Sequence, residues 1–135
     1  MLFRSVGFPG ETDELFENTR KFIESLPLTY LHVFPFSKRP GTKAAELKDD
    51  VPNREKQRRV TVLRDISDKM KKSYFDSFIG RELKVIIEVK RDKTTGCYKG
   101  VSENYIPVQI EKACSGLVGV MVKRNLGDYI KGESI

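Results

Sequence analysis

The sequence predicts an α+β chain: a helix-and-strand unit near the N-terminus, a long connecting helix, and a small five-stranded OB-like antiparallel β-barrel. Two patterns carry this prediction. Apolar residues recur at helical spacing over 15–26 and again over 60–78, then switch to strict alternation after Gly80. Glycines at 80, 96, 100, 116, 119 and 127 punctuate the alternating half, as a tightly bent barrel requires. With 135 residues the chain suits one ordinary domain or two very small ones.

Thr12 is placed to cap a helix whose first turn carries Asp13 and Glu14, which favour the positive end of the helix dipole. Leu15, Phe16, Thr19, Phe22, Ile23 and Leu26 then form one apolar face, and Pro27 ends it. Leu28 to Phe34 (LTYLHVF) reads as a strand whose near-continuous apolarity suits cover on both sides, as in a parallel sheet. Alone, such a strand leaves its edges unpaired and its apolar faces wet. Pro52 suits a first helical turn, and Val60, Leu63, Ser67, Met70 and Tyr74 mark one face of a helix to about Phe78. Other faces carry Arg58, Arg59, Arg64, Lys69, Lys71 and Lys72. In RELKVIIEVKR, Leu83, Val85, Ile87 and Val89 alternate with polar positions and Ile86. DKTTG at 92–96 reads as a hairpin turn, followed by strands at 97–101, 105–110, 117–123 and 126–130.

Charge is unevenly placed. The net +6 resolves into −2 over residues 1–37, +6 over 38–73 and +2 over 74–135. A basic middle segment points toward polyanions, against the commoner outcome of a solvated charged helix. No apolar run approaches the 18 or so residues of a membrane helix, and MLFRSVGFPG is too short and too rich in Gly and Pro for a secretory signal. Two cysteines make no disulfide framework, which predicts a reducing, cytoplasmic setting.

Catalytic chemistry is poorly served. His32 is the single histidine and reads as a packed, hydrogen-bonded residue, so neither a metal site nor a nucleophile triad is expected. Cys97 and Cys114 cannot supply the four ligands an iron–sulfur cluster usually takes, and read as small buried residues. GFPGE at 7–11 is a tight turn into a helix start, where amides can hold a carboxylate or phosphate, although such punctuation is common. Nucleic acid fits better. A basic loop (Lys38, Arg39, Lys43) precedes a basic helix start (Arg54, Lys56, Arg58, Arg59), and Lys and Arg there suit phosphates. Tyr98 or Tyr105 is placed either to stack on bases or to pack within the barrel, and the two readings stay level for Tyr105.

Three stretches together, VGFPGETDELFENT at 6–19, LHVFPFSKRPGTKAA at 31–45 and GVSENYIPVQI at 100–110, resemble consecutive landmarks of the tRNA methylthiotransferases. These are radical S-adenosylmethionine enzymes that end in an RNA-binding TRAM domain. HVFPFSKRPGTKAA most resembles the branch acting on N6-threonylcarbamoyladenosine beside the anticodon; the isopentenyladenosine and ribosomal-protein branches are near neighbours. The resemblance implies that residues 1–50 are the C-terminal edge of a radical-enzyme barrel made of remnant βα units. It makes 51–76 a connecting helix and 77–135 the TRAM barrel. It implies S-adenosylmethionine near Gly7, Gly10, Glu11, Phe34 and Ser37, where barrel strands end. RNA contacts are implied at Lys38, Arg39, Lys43, Arg58, Arg59, Lys99, Asn104, Tyr105 and Lys123. The implied partners are the tRNA anticodon arm and a missing N-terminal portion of the same enzyme, with no membrane and no DNA. The family's [4Fe-4S] ligands, CxxxCxxC, do not occur in this sequence, so the chain alone is expected to be inactive. MLFRS stands where a strand belongs and reads as an internal start or a broken gene model. The competing expectation is a stand-alone TRAM-type RNA-binding module without catalysis.

Overall fold

A computed structural model describes residues 2–112 and 116–135. The chain divides into two compact units, Met1–Lys71 and Lys72–Ile135. The first contains β1 (Leu2–Val6), α1 (Asp13–Ser25), β2 (Leu31–Pro35), α2 (Lys43–Glu46) and most of α3 (Asn53–Asp76). The second holds the end of α3, then β3 (Glu82–Arg91), β4 (Tyr98–Ser102), β5 (Pro107–Ile110), β6 (Gly116–Asn125) and β7 (Ile130–Ser134).

In the first unit β1 and β2 pair in parallel, with Leu2 opposite Leu31 and Val6 opposite Pro35. Leu2–Val6 is therefore a strand, and β2 has a partner within this chain. Thr12 caps α1 as expected: its hydroxyl accepts from the Leu15 amide at 3.2 Å. Of the apolar face of α1, only Phe16 and Ile23 are buried, packing with Val6, Leu31, Val33, Val60, Leu63 and Ile66. Leu15 and Phe22 are exposed, so that face is narrower than its periodicity suggests. Ser67 sits on the buried side of α3 because its hydroxyl accepts from the Leu31 amide (2.8 Å) and donates to the Leu31 carbonyl (3.3 Å). Both polar backbone groups are thereby satisfied at the start of β2.

The expectation that β2 is covered on both sides fails. Leu31 and Val33 are buried while His32 and Phe34 are exposed. His32 is not packed inside the unit. Its ring lies 4.9 Å from that of Phe3, which is 62% exposed, and Phe34 flanks both at 6.5 Å. One face of the two-stranded sheet thus presents a row of aromatic rings.

The second unit is a closed barrel in the order β3-β4-β5-β7-β6. Every neighbouring pair is antiparallel except β5 and β7, which run parallel, so the barrel is mixed rather than wholly antiparallel. The last strand is Ile130–Ser134, not 126–130, because residues 126–129 form the turn that brings the chain back beside β6. Inward residues of the strands, among them Val85, Ile87, Val108, Ile110, Val120 and Ile130, close on Phe75 from α3. Cys97 is half-buried rather than buried, and Cys114 lies outside the described residues.

Two glycines permit this closure. A Cβ at Gly100 would stand 2.5 Å from the Ile86 carbonyl oxygen, and one at Gly132 would stand 2.3 Å from a Val120 methyl. Strand-interior glycine here serves close approach of a neighbouring strand. Gly100→Ala is therefore expected to destabilise the barrel by about 2–3 kcal/mol, the upper range for overpacking. The check is the urea midpoint followed by tyrosine signals; an unchanged midpoint would contradict the packing described.

Candidate nucleic-acid interface

The GFPGE turn is built around buried charge. Gly7 and Gly10 adopt φ of 75° and 82°, a backbone region open to glycine. The Gly7 amide donates to Glu11 Oε1 at 2.9 Å and the Gly10 amide to Asp50 Oδ1 at 2.8 Å. The same Glu11 oxygen accepts from Arg59 Nη1 at 2.7 Å. Arg59 is 3% exposed and also reaches Asp13 (3.0 Å) and Glu55 (3.0 Å). Burial works against its charge, but the bonds to Glu11 and Asp13 more than offset it, so its pKa is raised. Beside it the buried Lys56 holds both oxygens of Asp49 at 2.7 and 2.8 Å, its stem packed on Gly7.

These bonds alter what the turn offers. Both amides expected to meet an external group are taken by the chain's own carboxylates. Arg59, expected to contact RNA, is committed inside the unit. A solvated helix face predicts exposure; the acidic residues of the turn and of α1 instead draw Arg59 in. Arg58 remains half-exposed, bonded to Glu55 at 2.9 Å and lying 3.3 Å from Asp13. Beside the turn, Gly10, Glu11, Arg4, Phe8 and Thr19 line a cavity of about 450 Å³. Phe34 is 51% exposed on the aromatic sheet face, and Ser37 is exposed in the following loop.

In that loop, Lys38 folds back, donating to the carbonyls of Ala45 (3.1 Å) and Leu47 (2.7 Å). Thr42 caps α2 through the Ala45 amide at 3.3 Å. Arg39 and Lys43 stay exposed, without an ion pair among the described residues. The loop therefore presents two cations, and Lys38 shapes it.

On the barrel, Tyr105 is 88% exposed, more than any other large hydrophobic side chain among the described residues, and it is the one non-glycine residue with positive φ (62°) among those described. This settles its competing readings in favour of exposure, whereas Tyr98 is half-buried beneath the Arg91 guanidinium at 5.1 Å. A bonded loop holds Tyr105 in its strained conformation. Its amide donates to the Ser102 carbonyl (2.9 Å), the Ile106 amide to Ser102 Oγ (2.9 Å), and Asn104 Nδ2 to the Tyr74 hydroxyl (3.2 Å). Asn104 therefore positions the loop. Lys99 is paired with Asp92, which raises the lysine and holds the carboxyl well below its usual range. Lys123 lies 3.2 Å from Glu133. The described residues contain no group of three or more His, Cys, Asp or Glu able to hold a metal, and no helix among them is long and apolar enough to cross a membrane.

The chain is similar to curated proteins. It is 38% identical over 120 residues to the threonylcarbamoyladenosine tRNA methylthiotransferase MtaB of Aquifex aeolicus, covering 87% of this chain and 27% of that protein. To the MtaB of Bacillus subtilis it is 38% identical over 120 residues, covering 87% and 26%. To the tRNA-2-methylthio-N(6)-dimethylallyladenosine synthase of Herminiimonas arsenicoxydans it is 36% identical over 123 residues, covering 90% and 28%. No family model matches. The chain spans about a quarter of the length of these relatives.

The buried guanidinium yields two expectations. Arg59→Met leaves Glu11 buried without its partner and should cost about 3–5 kcal/mol, read as a lower denaturation midpoint for the first unit. Hydrogen bonding from Arg58 and then Arg59 holds Glu55 down at about 2, against 4.5 unperturbed. The stability it contributes is complete above its unfolded value and is lost as pH falls from about 4.5 toward 2. Glu55→Gln should flatten that part of the stability–pH profile.

Proposed function

Starting from a chain that is, over most of its length, a segment of tRNA methylthiotransferase type, we propose that it supplies tRNA binding to such an enzyme. In its full form that enzyme adds a 2-methylthio group to N6-threonylcarbamoyladenosine beside the anticodon. The similarity to MtaB across 87% of the chain carries the reading. The match to a dimethylallyladenosine synthase keeps the neighbouring branch as the second reading.

In this reading residues 1–50 are the C-terminal edge of the radical-enzyme barrel, 51–76 the connecting helix and 77–135 the TRAM barrel. The parallel β1–α1–β2 unit and the closed five-stranded barrel support that division. Tyr105 stacks on an unpaired base of the anticodon arm, and Arg39, Lys43 and Lys123 approach phosphates. Asn104 and Lys38 hold their loops. The setting is cytoplasmic.

S-adenosylmethionine and the iron–sulfur clusters belong to the whole enzyme. Bound there, they supply the radical chemistry of sulfur insertion. The residues of this chain do not fit a cluster, having two cysteines in all. The Gly7 and Gly10 amides are engaged by Glu11 and Asp50. What the N-terminal unit contributes is a turn rigidly held by Arg59 and an aromatic sheet face toward the remainder of the enzyme.

Binding of the chain to a synthetic anticodon stem–loop tests the proposal. Affinity is expected to fall steeply with added salt, as phosphate contacts require. Tyr105→Ala should weaken binding by about 1–3 kcal/mol, roughly five- to 150-fold, for a lost base stack. Absence of binding at low salt would overturn the reading. Extending the coding frame upstream to an in-frame CxxxCxxC would tie the segment to its enzyme.

A further inference from the structure

Alternation along a strand sends adjacent side chains to opposite faces. Strand β6 obeys this at Val120, Met121 and Val122, where the first and third are buried in the barrel core. The rule then breaks: Lys123 and Arg124 are both exposed. The cause is a bulge. Val122 faces Gly132 and Arg124 faces Lys131, so Lys123 is the extra residue between them. A bulge re-aims side chains and bends the strand, and here it brings two consecutive cations to one side.

That side is a cleft of about 440 Å³, lined by Lys112, Lys123, Arg124 and Lys131 together with Glu111 and Glu133. Lys131 pairs with Glu111, and Lys123 with Glu133 at 3.2 Å. Four cations thus face two carboxylates. Arg124 has no ion pair among the described residues, although its charge, after that of Lys131, helps lower the Glu111 pKa. The cleft is a concave positive surface with fixed amines at its walls and a guanidinium suited to two-point contact with a phosphate.

We propose that this cleft is a backbone-binding subsite for RNA, in which Arg124, Lys123 and Lys131 contact consecutive phosphodiesters. This rests on the tRNA-binding reading above and adds where the backbone runs on the barrel. Glu111 and Glu133 hold the lysines extended in the free protein and oppose the incoming phosphates. A surface for an acidic protein would present the same sign of charge. The exposed ring of Tyr105 on the same barrel favours a ligand that has both bases and phosphates.

The test measures stem–loop binding across a salt series for the full chain and three variants. K123Q/R124Q is expected to lower the slope of log affinity against log salt by about 1.4–1.8, two contacts at roughly 0.7–0.9 each. Lys93→Gln, an exposed lysine in the turn before β4, should leave the slope unchanged. Glu111→Gln, whose side chain is 70% exposed, should raise affinity several-fold at low salt. Thermal melting of each variant verifies that the barrel is intact. If the parent binds RNA but K123Q/R124Q keeps its slope, the cleft assignment fails while tRNA binding stands. An equal loss in Lys93→Gln would mean diffuse attraction and also overturns the cleft. Failure of the parent to bind RNA overturns both proposals.

Discussion

Closure of the barrel through β7 is the constraint on which the C-terminal unit depends. That strand lies antiparallel to β6 and parallel to β5, and it reaches both because Gly132 carries no side chain against Val120 and Met121. Without closure the inward row of Val, Ile and Leu would have one covered face and two open edges. With it, Ile106, Val108, Ile110 and Ile130 are almost fully buried. The same strand sets the bulge in β6, so the geometry that seals the core also shapes the basic surface outside it.

The N-terminal unit is organised differently, around charge placed where it cannot be solvated. Arg59 binds three carboxylates and the Glu11 carbonyl. Each bond offsets part of the cost of burying the guanidinium, and together they fix three segments: the turn at Glu11, the start of α1 at Asp13, and α3 itself at Glu55. Lys56 fixes the segment before α3 through Asp49 in the same way. A buried ion pair is a modest source of net stability but a strong determinant of register, since removing one member strands the other. The turn is thus held by internal ion pairs rather than by an external anion.

Presentation of Tyr105 follows the same principle on a smaller scale. A bulky residue at positive φ is costly, and it persists only where the surroundings fix it. Ser102 and Asn104 do so with bonds to Ile106 and Tyr74. The result is a ring held out into solvent on a rigid support, which lowers the entropy lost when a base stacks upon it.

The sequence by itself determined the elements that depend on near neighbours: the Thr12 cap, the length of α3, the turn at Asp92, the alternation of β3 and the existence of a small barrel. Each follows from spacing of a few residues, where backbone periodicity and capping chemistry act. It also showed that the basic residues concentrate in the middle of the chain. Only the tertiary structure decided which charges are spent internally. Arg58 and Arg59 are adjacent and chemically identical, yet one is half-exposed and the other buried, because the helix rotates the second toward Glu11, 48 residues away in sequence. The parallel pairing of β5 with β7, the strand formed by Leu2–Val6 and the joint exposure of Lys123 and Arg124 are likewise products of long-range pairing. Local pattern cannot report them, since a strand's partner and its register are set by the core that both strands enclose.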